Sequence, residues 1–304
     1  ASLLDRYEFR QLQTALSTYW IAQEGWQLNY LLPLFGPPWS VPMEFPVYQV
    51  IVANLHTLTG MPLEQAGRLT GILFLFATLP ALFDLLAISQ LPRSRRFIVL
   101  AVVLSSPMYL FYARAFMIET TALCFSIWFL ALYRRALLQP HGAVIAAAAI
   151  LGVLAALTKI TTFLVFGIPA VALAINAFSL SQRTPSSLWV KARPVILSLF
   201  LAALSLGITW WWVHHGDGVK DSNPFTGFLT SRELHHWNYG PWGLRFDWSF
   251  WVKIQENISG DVLTEGALAV ALLSVPFAGR RIRIIAGVAI VGFFSGPLIF
   301  ANLY

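Results

Sequence analysis

The chain has 304 residues, of which 57% are hydrophobic and 11% charged, with a mean hydropathy of +0.67. A soluble domain of this length could not bury so much apolar surface, so an integral membrane protein is expected. The formal charge of +6 sits in short basic loops, which points to membrane orientation and anionic headgroups rather than to nucleic acid.

In chain order, Gln11–Gln27 reads as an amphipathic helix. Pro33, Gly36, Pro37, Pro38 and Pro42 then make a turn-rich loop. The apolar stretch from Val47 to Thr59 is too short to cross a bilayer, so it reads as a helix lying at the interface. Apolar runs long enough, or nearly so, to cross follow at 67–89, 97–113, 116–134, 143–158, 160–179, 194–213, 262–278 and 284–303. These predict an all-α integral membrane protein. Its parts are a first extracytoplasmic loop with juxtamembrane helices (1–66), a helical core (67–213), a second extracytoplasmic loop (214–261) and C-terminal spans (262–304). The chain opens inside a polar segment and stops just after an apolar run. A fragment is therefore expected, lacking a preceding helix and continuing beyond Tyr304.

Charge orients this scheme. Four loops carry Arg93, Arg95, Arg96; Arg134, Arg135; Arg183, Lys191, Arg193; and Arg280, Arg281, Arg283, with no acidic residue among them. Every Asp and Glu but Asp84 lies in the alternate segments. Cytoplasmic loops collect Lys and Arg, so the acidic side is extracytoplasmic, and chemistry that needs carboxylates belongs there. Asp84, near the inner end of its helix, is expected to pack against a neighbouring polar group.

Five clusters could carry chemistry. Asp5, Glu8, Arg10, Gln11 and Gln13 place carboxylates, a guanidinium and amides just outside the bilayer; a carboxylate there could act as general base and the arginine could hold a phosphate. The bland alternative is a solvated loop before a helix. Glu44 is wedged among prolines and aromatics, either as a positioned ligand or as a helix N-terminal charge. Glu119 lies near the outer membrane boundary, where an ionisable group faces a partner or a watery cavity; Arg114 is near enough to be that partner, and the bland alternative is a purely structural ion pair. Lys159, at the outer turn of a helical hairpin, could bind a lipid phosphate or simply snorkel to the headgroups. His235, His236 and Trp237, with His214 and His215, suit a sugar- or acceptor-binding loop better than a metal: adjacent histidines seldom reach one ion, and no HExxH spacing occurs. No metal site is expected from these residues, and a divalent cation is left open. Cys124 is a lone cysteine in an apolar run, and no GxSxG, Walker loop or CxxC framework occurs.

In this order, the pieces resemble the polytopic GT-C glycosyltransferases, in the branch of the protein O-mannosyltransferases and lipid A aminoarabinose transferases. Asp5 to Ala15 resembles that family's first external loop. Glu44-Phe45-Pro46-Val47-Tyr48 resembles its E-F-P-x-Y element. Tyr112-Ala113-Arg114 through Glu119-Thr120-Thr121-Ala122-Leu123 resembles its second external loop, and Lys159 a basic position in the same hairpin. The likeness covers residues 1–180 well and the rest loosely. It implies a multi-span helical bundle of GT-C type in a bacterial plasma membrane, facing outward. It further implies transfer of a sugar from a polyprenyl-phosphate donor, usually with inversion, to a hydroxyl of a lipid, glycan or protein acceptor. Asp5, with Glu8 as rival, would be the base. Arg10, Arg114 and Lys159 would stabilise the phosphate; Glu44 and Glu119 would hold sugar hydroxyls or orient the arginines; Gln11 and Gln13 would add hydrogen bonds. The alternative is a transporter or flippase of lipid-linked substrates, for which charges at the midplane or broken helices in repeated halves are expected.

Overall fold

The structure, a computed structural model, describes residues 7–183, 185, 187–261 and 265–301. Its described residues form thirteen α-helices and no strand beyond an isolated bridge between Leu31 and Ser40. Five of the helices are long and apolar enough to cross a membrane, or six if one bent pair counts as a single span. This fits a multi-pass membrane protein.

Helix α1 (Glu8–Glu24) carries Glu8 in its first turn, where the helix dipole favours an acid, and stops at Gly25. Helix α2 (Val47–Thr59) covers the predicted interfacial stretch residue for residue. Pro46 precedes it, and Gly60 ends it in the left-handed conformation (φ 70°), donating its N–H to the His56 carbonyl. Helix α3 (Leu63–Leu85) then runs for 23 residues into a 3-10 turn at Leu86–Ser89.

The run expected as one span over 97–113 is broken. Helix α4 (Arg93–Leu104) and helix α5 (Pro107–Arg114) meet at 64°. Pro107 explains the break: it lacks an N–H, and it forces Ser106 out of the helical region, to ψ 120°.

Helices α6 (Glu119–Leu138), α7 (Gly142–Thr158), α8 (Ile160–Arg183) and α9 (Leu188–Asp221) form the core. Phe125, Phe129 and Tyr133 of α6 pack on Ala148, Ala155 and Ala156 of α7, on Phe163 of α8 and on Leu197 and Leu201 of α9. Helix α7 is short for a span, at 17 residues or about 25 Å. Its small residues let neighbours close in: a Cβ on Gly152 would lie 3.0 Å from Phe129 and 2.9 Å from Ser205 Oγ.

Helix α9 does not stop at 213 but continues to Asp221, so His214, His215 and Lys220 stand on a helix. After the short α10 (His235–Tyr239) and α11 (Trp248–Asp261), the run expected over 262–278 gives only a ten-residue helix, α12 (Glu265–Ser274), and a 3-10 turn at Val275–Phe277. Helix α13 (Arg280–Ile299) is a span-length helix that takes the basic Arg280, Arg281 and Arg283 into its first turn.

Asp84 finds its polar neighbours. Arg135 donates to both carboxylate oxygens, at 2.9 and 3.2 Å, and Arg134 lies 3.7 Å away. These arginines sit near the C-terminal end of α6, whose 20 residues extend about 30 Å. Glu119 begins the same helix, so two charged clusters occupy its opposite ends.

Candidate functional site

The Glu119 end is built on a scaffold of small residues and aromatics. Phe116 is fully buried in the link between α5 and α6, edge-on to the fully buried Tyr48 of α2 at 5.7 Å. Gly67 of α3 makes room for it; a Cβ there would lie 2.2 Å from the Phe116 ring. One turn on, a Cβ on Gly71 would meet the Ala113 carbonyl oxygen at 2.4 Å. Tyr48 donates its hydroxyl to the Gly67 carbonyl at 2.9 Å. The Phe116 N–H donates to Oε1 of the buried Gln11 at 3.0 Å, which ties α1 to this link. Gln11 therefore pins the scaffold, whereas Gln13 is half-buried on the same helix.

The proline-rich loop is held just as firmly. Buried Tyr30 donates its hydroxyl to the Glu44 carbonyl at 3.0 Å and accepts the Met43 N–H at 2.8 Å. Burial, and then the charge of Glu44, raise the Tyr30 hydroxyl pKa above its ordinary value, so it stays a donor. Trp212 of α9 donates its indole N–H to the Met43 carbonyl at 2.9 Å and meets Phe45 edge-on at 5.0 Å. The Phe45 N–H donates to the Leu157 carbonyl at the end of α7.

On this platform stand two ion pairs. Arg10 donates to Oε1 of Glu44 at 2.8 Å, and Lys159 donates to Oε1 of Glu119 at 2.8 Å. They share one field. The Arg10 pKa is raised above its ordinary value by Glu44 first and, against the opposing effect of burial, by Glu119 and Tyr112 as well. The four side chains come from α1, the proline-rich loop, the start of α6 and the extended residue between α7 and α8. The expected pairing of Glu119 with Arg114 is corrected: Lys159, 40 positions away in sequence, is the partner. The second oxygen of Glu119 and the hydroxyl of Thr121 are buried with no hydrogen-bond partner among the described residues, as is Oε1 of Gln49. A buried acceptor left unpaired is costly, so Glu119 Oε2 is an acceptor open to water or to a ligand donor.

The other sequence candidates are placed as follows. Asp5 lies outside the described residues. Glu8 is exposed, at the first residue of α1 and one turn from Gln11. Arg114 is exposed at the end of α5; its guanidinium lies 5.9 Å from the Phe111 ring centroid, and its carbonyl accepts from Arg68 at 2.7 Å. His235, His236 and Trp237 are exposed on α10, and His235 packs on Tyr239 at 4.6 Å. They make no bond to Arg10, Glu44, Glu119 or Lys159. Among the described residues, no group of three or more His, Cys, Asp and Glu could hold a metal ion. Buried Arg245 organises this region instead, donating to the carbonyls of Tyr239, Pro241, Leu298 and Ile299, two of which end α13.

Sequence reasoning gave no role to Tyr30, Gly67, Phe116 or Trp212, and named Tyr48 only as the last residue of the E-F-P-x-Y element. The one available signal was the spacing of Gly67 and Gly71, two glycines on one face of an apolar helix. It also missed Lys220, which is buried on the face of α9 that carries Trp212 and Gly216. Its ammonium lies 3.7 Å from Asp217, and it interacts electrostatically with Glu44. Neither family models, nor curated proteins, nor solved structures give a match to this chain.

Proposed function

We propose that the chain is a membrane glycosyltransferase of GT-C type, which moves a sugar from a polyprenyl-phosphate donor to an acceptor hydroxyl on the extracytoplasmic face of a bacterial plasma membrane. The observation that carries this reading is the convergence of Arg10–Glu44 and Lys159–Glu119 at one end of the bundle. Phosphate leaves with negative charge, and a preorganised ammonium and guanidinium are what stabilise it. Lys159 and Arg10 take that role. Glu119 then accepts sugar hydroxyls on its carboxylate, on the unpaired Oε2 and on the Oε1 that Lys159 leaves for the phosphate. A carboxylate, either Asp5 or Glu8 at the first residue of α1, takes the acceptor proton. The charged groups gather at helix ends, which favours chemistry at the surface over a transport path through the midplane.

Binding of a polyprenyl phosphate to the purified chain tests the phosphate role. Lys159→Ala and Arg10→Ala each weaken binding by about tenfold or more, the scale of one charge-assisted hydrogen bond of about 1.5–3 kcal/mol. Unchanged affinity in both variants would overturn it.

A further inference from the structure

Helix α3 and the bent α4–α5 pair enclose an open groove of about 630 Å³. Its walls are apolar: Ile72 and Phe76 from α3, Leu104 from α4, Leu110 and Phe111 from α5. The 64° bend before Pro107 swings α5 away from the line of α4, and both helices contribute to the wall. The lining side chains Ile72, Phe76 and Leu110 are exposed, at 37%, 55% and 47%. In a multi-pass membrane protein such a surface faces lipid.

The single charged residue of the lining is Arg114, the last residue of α5. It is exposed, and no carboxylate pairs with it among the described residues; its guanidinium contact is the Phe111 ring. This sets it apart from Arg10 and Lys159, each of which has a carboxylate 2.8 Å away. Arg114 stands five residues before Glu119, so it is within about 18 Å of the start of α6, at the end of the bundle where headgroups lie. Along α5, the wall from Pro107 to Arg114 is about 10 Å long. It offers room for the upper part of one chain, with a cation at the top.

We propose that this groove seats one anionic membrane phospholipid, an acyl chain lying between α3 and α5 and the phosphate on the Arg114 guanidinium. A molecule already dissolved in the bilayer, with an apolar chain and a phosphate at headgroup depth, meets both requirements at once. A guanidinium with a neighbouring aromatic ring and no carboxylate partner among the described residues can take an anion. The proposal stands apart from the glycosyl-transfer reading, which places its phosphate on Lys159 and Arg10.

The test is native mass spectrometry of the full chain in detergent, with phosphatidylglycerol and phosphatidylcholine of matched chains and, in competition, a polyprenyl phosphate. The wild type is expected to hold one phosphatidylglycerol more tightly than phosphatidylcholine by about fivefold, the effect of one basic residue near a phosphate. Arg114→Ala loses that preference, Arg114→Lys keeps most of it, and Leu110→Trp, which fills the groove, weakens both lipids. Equal binding of the two lipids by the wild type overturns the proposal, as does a preference that survives Arg114→Ala. Displacement of phosphatidylglycerol by equimolar polyprenyl phosphate, lost in Arg114→Ala, overturns it in favour of the carrier lipid as occupant.

Discussion

A Cβ added to Gly67 would lie 2.2 Å from one carbon of the Phe116 ring and 2.4 Å from another. The ring cannot yield cheaply. Phe116 is fully buried, its edge contact with Tyr48 fixes one side, and its backbone N–H is held by Gln11. Gly67→Ala therefore over-packs the joint, at about 1–3 kcal/mol, against a gain of up to about 1 kcal/mol from replacing glycine inside a helix. Phe116→Ala alone costs about 3–5 kcal/mol. With the ring removed, the three atoms nearest the added methyl group, all of them Phe116 ring carbons, are gone, so Gly67→Ala turns neutral or stabilising in that background. The coupling between the two substitutions is then the over-packing cost itself, about 1–3 kcal/mol. Reversible unfolding in mixed micelles of the wild type, both single variants and the double variant measures it. If Gly67→Ala costs the same in both backgrounds, within about 0.5 kcal/mol, the packing of α3 against the α5–α6 link is not as described.

Two further outcomes follow from the charges. Lys159→Met leaves the half-buried Glu119 without its counter-charge and destabilises by about 1.5–3 kcal/mol. Adding Glu119→Gln restores part of this, because a neutral amide needs no cation, and thermal midpoints in one detergent compare them; a double variant less stable than the single one contradicts the pairing. Single cysteines at Arg95 and Arg281 are expected to resist an impermeant thiol reagent in intact cells, with Cys124 replaced, while cysteines at Gln13 and His236 react. Labelling of the first two from outside would invert the topology.

Legibility in the sequence followed the range of the interaction. Helix α2 was readable to the residue because local signals bracket it, Pro46 before and Gly60 after. The α4–α5 break had an equally local signal in Pro107, but the unbroken apolar run outweighed it. Helix α9 overran its expected end because Gly216 and Gly218 do not stop a helix whose face packs on the proline-rich loop; a Cβ on Gly216 would sit 3.3 Å from the Pro42 carbonyl oxygen. Residue types at the site could be nominated one by one. Their pairing could not, because proximity in sequence favoured Arg114 for Glu119. The extended backbone of Lys159 (φ −160°, ψ 95°) brings its ammonium there instead. The contact of Trp212 with Met43 joins distant segments and leaves no periodic trace, and that of Phe116 with Gly67 leaves only the spacing of Gly67 and Gly71.

The most direct test of the central claim is sugar release or transfer from a set of polyprenyl-phosphate sugars by the full-length protein, alongside its Asp5→Asn and Glu8→Gln variants. The account predicts turnover of at least one donor by the wild type, with inverted configuration at the anomeric carbon, and its loss in one of the two variants, which thereby identifies the base. No turnover of any donor by wild-type protein that still binds the lipid would contradict the enzyme assignment and point to movement of lipid-linked substrates instead.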